Sequence, residues 1–126
     1  MVLAYLAVAL GGAMGAMTRY WMYNSWLKLA ESQFPYVTLL VNVIGSLLIG
    51  VAFVLLVERG AFSMEWRNVI TVGFLGAFTT FSTFSLDTLG LLEQGQIGLA
   101  LLYIVASVFI CILAAWLGLS LTRLLI

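Results

Sequence analysis

The residues able to do chemistry are few. The densest group is Gly76-Ala77-Phe78-Thr79-Thr80-Phe81-Ser82-Thr83-Phe84-Ser85, where five hydroxyls fall within the seven positions Thr79 to Ser85. Hydroxyls on a regular helix can bond back to carbonyls one turn earlier and leave an intact helix with a polar face. Here Gly76 is grouped with β-branched Thr79, Thr80 and Thr83, all poor helix formers, so the favoured reading is an interruption near residues 76–80. An interruption frees backbone groups. Carbonyl and hydroxyl oxygens are hard ligands suited to Na⁺, whereas freed N–H groups and hydroxyls can meet an anion. Phenylalanine recurs every third residue, at 78, 81 and 84. An aromatic ring has a positive edge, so ring edges beside hydroxyls can line an anion path without a fixed cation.

Two smaller groups add to this. Tyr103, Ser107 and Cys111 stand four apart and share one helix face. Asn42, with Thr38 one turn before it, is a lone amide in an apolar run, either glue between helices or part of a pathway. What is missing is equally informative. With no histidine and one cysteine, the chain can build no internal disulfide, no zinc cluster, and no Ser-His or Cys-His nucleophile. No enzyme activity is expected. Cys111, in its apolar run, reads as a small buried hydrophobe. Five basic residues balance five acidic ones, so no basic patch speaks for nucleic acid.

These groups need elements to hold them, and composition says which. The chain is 64% hydrophobic and 8% charged, with a mean hydropathy of +1.19. Soluble domains carry about a quarter charged residues. Only lipid suits this chain as solvent, so an all-α membrane protein is expected. Four uncharged runs have the length of a span: Met1–Thr18, Phe34–Val57, Asn68–Leu86 and Gln94–Thr122. The expected helices are 2–26, 35–57, 67–92 with the break near 76–80, and 96–122, in one integral membrane domain, 1–126. The first run lacks the basic start of a signal peptide and reads as a mature helix. Arg19 closes the first run and Asp87 the third, so no carboxylate is expected inside a span. That favours a channel over a proton-coupled pump, which needs an ionisable relay.

Charge also bears on orientation. With the N-terminus inside, Arg59, Arg67 and Arg123 face in, while Lys28 and Arg19 face out. Three against two is almost no bias, so insertion in both orientations is expected. The spacings Gly11-x-x-x-Gly15, Ser46-x-x-x-Gly50 and Ala114-x-x-x-Gly118 allow close helix approach in lipid and argue for tight packing and an oligomer.

Taken together, the motifs identify a resemblance. Gly76 to Ser85 resembles the third-helix signature of the Fluc/CrcB fluoride channel family. Gly11-Gly12-x-x-Gly15-x-x-x-Arg19-Tyr20 and Thr38-Leu39-x-Val41-Asn42-x-x-Gly45 resemble its first- and second-helix motifs. The resemblance covers nearly the whole chain. It implies a passive F⁻ channel of the bacterial plasma (inner) membrane, built as a dual-topology antiparallel homodimer with a structural Na⁺ at its centre. It further implies that carbonyls of Gly76 and Thr79 hold that Na⁺. Phe81, Phe84, Asn42, Ser82, Thr83, Tyr103 and Ser107 would line the ion pathway, with Arg19 and Thr38 in support and Phe78 outside the pore. Four positions depart from the pattern: Ala77 and Val37 stand for glycines, and Cys111 then Ala115 stand where the fourth-helix track carries hydroxyls. A small multidrug-resistance transporter, also dual in topology, is the alternative; that class resembles a proton-coupled exporter with a glutamate in its first helix, which this first helix lacks before Arg19.

Overall fold

The computed structural model describes residues 1–126, and every regular element in it is helical. Four helical passes are long and apolar enough to cross a membrane: Val2–Ser25, Tyr36–Glu58, Met64–Glu93 and Ile97–Leu125. They are called the first to fourth spans below. A short helix, Leu27–Ala30, lies between the first two. Pro35 directly precedes the second span, where its missing N–H costs nothing, since the first N–H groups of a helix have no partner anyway. Gly60 and Gly95 take positive φ (59° and 75°) in the turns before the third and fourth spans, a conformation open to glycine at little cost. The second span ends in a π-helical stretch, Phe53–Glu58, and the third passes into another, Asn68–Leu75, after a first α-helical turn, Met64–Arg67.

Glycines decide how the spans pair. A Cβ on Gly11 or Gly15 would collide with the carbonyls of Val69 and Phe74, and Gly73 answers from the third span against Gly11 and Val8. The first span therefore lies backbone to backbone on the third. The second lies in the same way on the fourth, with Gly50 against the Ala115 carbonyl and Gly118 against the Leu47 carbonyl. Close approach of this kind is what holds helices together in lipid, where burying leucine gains nothing. It also corrects an expectation. These small-residue spacings are used within one chain, so they are not evidence for an oligomer.

The remaining surface is what lipid requires. Leu6, Leu10, Met14 and Met17 stand exposed along the first span, with Tyr20 and Trp21 near its end. At the opposite corner Arg123 donates from Nε to Glu58 Oε2 at 3.0 Å and from a second guanidinium nitrogen to Oε1. This two-point ion pair joins the ends of the second and fourth spans. The helices extend past the uncharged runs that mark them. The first continues through Arg19 to Ser25 and the third to Glu93, close to the expected 2–26 and 67–92, so Asp87, which closed the third run, lies within a span. Uncharged runs understate helix length because a helix carries its charges onto protein-facing sides.

The glycine pairing yields a direct test. Gly11→Ala drives a methyl into backbone, and overpacking of this kind costs about 1–3 kcal/mol. A lowered melting temperature in detergent is expected. Gly98→Ala, whose Cβ meets nothing, should leave the melt unchanged.

Candidate functional site at a broken helix

The third span is interrupted at two residues. Thr79 (φ −79°, ψ 158°) and Thr80 (φ −152°, ψ 113°) are extended, between Gly76–Phe78 and the helix Phe81–Glu93. Gly76 itself remains helical (φ −62°, ψ −38°), so the threonines make the break and the glycine precedes it. Leu75 explains where the leading half stops. Its carbonyl accepts both the Thr79 N–H (3.1 Å) and the Thr79 hydroxyl (2.9 Å), closing the last turn. Room for the Thr79 side chain comes from the second span, where a Cβ on Gly45 would collide with Thr79 Cγ2.

The freed backbone is answered group by group. Asn42 Oδ1 accepts the Thr80 N–H (2.8 Å), and Asn42 Nδ2 donates to the Thr80 carbonyl (3.0 Å). One amide thus satisfies both backbone groups of one residue, as a strand neighbour would. Arg19 Nη1 donates to the Thr79 carbonyl at 3.3 Å. The Thr80 hydroxyl caps the trailing helix, accepting the Thr83 N–H (3.1 Å) and meeting Thr83 Oγ1 (3.0 Å) and Ser82 Oγ (3.3 Å). Since the Thr80 N–H goes to Asn42, it does not close onto Gly76, whose carbonyl would be its partner in an unbroken helix. Gly76 is exposed.

The break opens onto a groove of about 500 Å³ lined by Asn42, Ser46, Gly76, Thr79, Phe81, Ser107 and Cys111, among others. No carboxylate or lysine lines it. The Ser107 hydroxyl is buried there with no hydrogen-bond partner. An orphaned hydroxyl at membrane depth is costly unless something not in the chain uses it.

Beside the groove runs a row of rings. Phe81 and Phe84 have centroids 5.3 Å apart, and Phe84 and Tyr103 5.1 Å apart. Phe81 is 77% exposed, whereas Tyr103 is fully buried. Phe34 meets Tyr103 edge-on at 5.5 Å. The Tyr103 hydroxyl donates to Asp87 Oδ2 at 3.2 Å. Phe78 is buried and stacked on Phe74, packed with Met22, Val37 and Val41, as a packing residue should be.

Measured against the sequence reading, the structure brings Asn42, Gly76, Thr79, Phe81 and Ser107 to one groove, with Arg19 behind it. Phe84 and Tyr103 form the adjoining row. Ser82 and Thr83 sit at the cap of the trailing helix. Thr38 is buried one turn from Asn42, its hydroxyl bonded to that of Tyr23. Tyr103 and Cys111 were grouped on one face, yet only Ser107 and Cys111 of that set reach the groove. That face runs just over two turns, about 12 Å, and its Tyr103 end lies beyond the groove. Thr80, flagged as one of the helix-breaking threonines, also lines the groove, while the reading missed Tyr23, Ser46 as a lining residue and the engagement of Asp87. Tyr23 follows Arg19 by one turn, and Asp87 follows Phe84 by three residues, so both shared a face with a flagged residue.

With this geometry in place, comparison with known proteins is informative. The family described as CrcB-like protein, Camphor Resistance (CrcB), matches residues 6–119. A relative from Saccharophagus degradans is 47% identical over 125 residues, which cover 99% of this chain and 93% of that one. One from Hahella chejuensis is 48% identical over 120 residues, 94% of each chain. One from Methylococcus capsulatus is 46% identical over 123 residues, 98% of this chain but 54% of that longer protein. All three relatives carry the name Fluoride-specific ion channel FluC.

Asn42 and Ser107 should separate in a stability measurement. Asn42→Ala orphans two backbone groups of Thr80, at about 1–3 kcal/mol for each. A clear drop in melting temperature is expected. Ser107→Ala removes a hydroxyl that binds nothing within the chain, so the isolated fold should melt no lower than wild type.

Proposed function

The chain belongs to the CrcB family, and on that premise we propose that it is a fluoride-selective channel through which F⁻ leaves the cell passively, protecting it from fluoride. It is a multi-pass membrane protein and not an enzyme. The observation that carries the reading is the broken third span. At the break, the trailing helix presents the positive end of its dipole, and Arg19 adds the one cation in the neighbourhood. Ser107 offers an unused hydroxyl a short way along the groove. The carboxylate nearest by sequence, Asp87, receives the Tyr103 hydroxyl and does not line the groove. The helix N-terminus, Arg19 and the Ser107 hydroxyl favour an anion along this surface, whereas the carbonyls at the break do not.

F⁻ must exchange its water for something as it crosses. Hydroxyls and ring edges are weak partners, which suits conduction, since ligands that hold an ion tightly also stop it leaving. Phe81 and Phe84, in the row that ends at Tyr103, supply ring edges in series. Asn42 keeps one amide N–H beyond the bond it gives to Thr80, and that N–H is available to the groove.

We further propose that two copies assemble antiparallel, in a dual-topology homodimer. Two observations support it. The groove is open on one side, with Phe81 exposed at its edge, so a single chain leaves the path half-walled. The loop charges are almost evenly split, and Arg123 is already neutralised by Glu58. The same assembly suits a Na⁺ at the dimer centre. The chain has no cluster of His, Cys, Asp or Glu that could hold a metal, so a cation would rest on neutral carbonyls. The Gly76 carbonyl, left without its helical donor, and the Thr79 carbonyl fit that need, and a second copy would double the ligand count. Na⁺ would tie the two breaks together; it takes no part in moving F⁻.

Purified protein in liposomes, followed with a fluoride electrode, tests the channel. Wild type should release F⁻ without a proton gradient. Phe81→Ile and Phe84→Ile should each slow efflux by about tenfold or more, equivalent to about 1.4 kcal/mol in the barrier. Phe78→Ile should slow it less. Wild-type flux from both the Phe81 and Phe84 variants would make those rings packing residues. A cysteine at Gly60 on a Cys111→Ser background should react with an impermeant thiol reagent from both sides, and labelling from one side alone would exclude dual topology.

A further inference from the structure

The peptide unit joining Thr79 to Thr80 is held at both edges. Its N–H goes to Asn42 Oδ1 at 2.8 Å, and its carbonyl oxygen receives Arg19 Nη1 at 3.3 Å. A planar peptide fixed through its N–H has its carbonyl direction fixed as well. Asn42, which also grips the Thr80 carbonyl at 3.0 Å, is therefore enough to orient the Thr79 carbonyl. Arg19 is not needed for that. What Arg19 adds is its charge. No carboxylate pairs with it directly, because the single ion pair in the chain is Arg123 with Glu58. Arg19 is half-buried within the first span, where screening by water and salt is weak.

Resting on the proposal that the Gly76 and Thr79 carbonyls hold Na⁺, we infer that Arg19 opposes that cation and sets the site's affinity below what its carbonyls alone would give. A carbonyl oxygen has two lone pairs, so guanidinium and Na⁺ can share Thr79. Sharing one oxygen puts the two positive charges about 5 Å apart, where repulsion at the effective dielectric of a protein changes an equilibrium by about tenfold or more. The arrangement ties two properties together. The charge that makes the break attractive to an anion is the charge that weakens the cation site. Removing it should shift the two in opposite directions.

The test is a sodium titration of dimer stability, read as the melting temperature of purified protein while N-methyl-D-glucamine replaces Na⁺ at constant ionic strength. Arg19→Gln keeps a hydrogen-bond donor and removes the charge. Its Na⁺ midpoint should fall about tenfold below that of wild type, while F⁻ efflux at saturating Na⁺ declines. Arg19→Lys keeps the charge, and its midpoint should stay within about threefold of wild type. An Arg19→Gln midpoint equal to or above wild type overturns the inference, as does a tenfold shift in Arg19→Lys. The lysine variant alone decides if the glutamine variant fails to fold. If wild type and both variants melt independently of Na⁺, the cation site itself is refuted and this inference with it, a result distinct from a midpoint that shifts the wrong way.

Discussion

A backbone polar group at membrane depth must find a partner in the protein, and this molecule is arranged around two residues that break that rule's usual solution. Thr79 and Thr80 leave the helix, and their N–H and carbonyl groups can no longer pair along the chain. The second span supplies an amide at the level of the break. The first supplies a guanidinium. The trailing helix supplies its own cap from the Thr80 hydroxyl. Each of these depends on close approach, and close approach depends on glycine: Gly11, Gly15 and Gly73 between the first and third spans, Gly45 directly beneath Thr79. The small residues are thus not a separate feature of the sequence. They bring the polar groups near enough to satisfy the break.

Much of this was legible from residue types alone. Four apolar runs became four spans, since a run of that length crosses lipid with its backbone satisfied only as a helix. The cluster of glycine and β-branched threonines gave the interruption. Asn42 was ambiguous between glue and pathway, and the structure makes it glue for one broken residue while leaving it at the wall of the groove. Distance along the chain hid the rest. Arg19 and Thr79 are 60 residues apart, and nothing local to either says they meet. Asp87 looked like a boundary because a charge ended the uncharged run. It is inside the helix because Tyr103, 16 residues on, turns a hydroxyl toward it. The small-residue spacings were read as tight packing and an oligomer; the packing lies within the chain, and the pattern cannot distinguish a neighbour in the same chain from one in another copy.

The site is lopsided in a way that explains the chain's shape. The Tyr103 end is packed, with its hydroxyl engaged and its ring enclosed by Phe84 and Phe34. The Gly76 end is open, with a free carbonyl and the Phe81 ring largely uncovered. Ser107 lies between, buried yet unpartnered. The fold thus satisfies one end of its polar surface and leaves the other open, which is the feature the proposed antiparallel pairing would complete.

Gly45 carries a consequence for how such sequences can vary. The methyl of Thr79 occupies the space where a side chain at 45 would begin, so the two positions share one fixed volume. A larger residue at 45 is tolerable only if 79 gives up that methyl, and of the smaller residues serine alone would keep the hydroxyl that closes the last turn on Leu75. Position 45 cannot grow alone. Among related chains the pair should therefore behave as a single inherited character, lost or kept together, with the break's location as the trait it encodes.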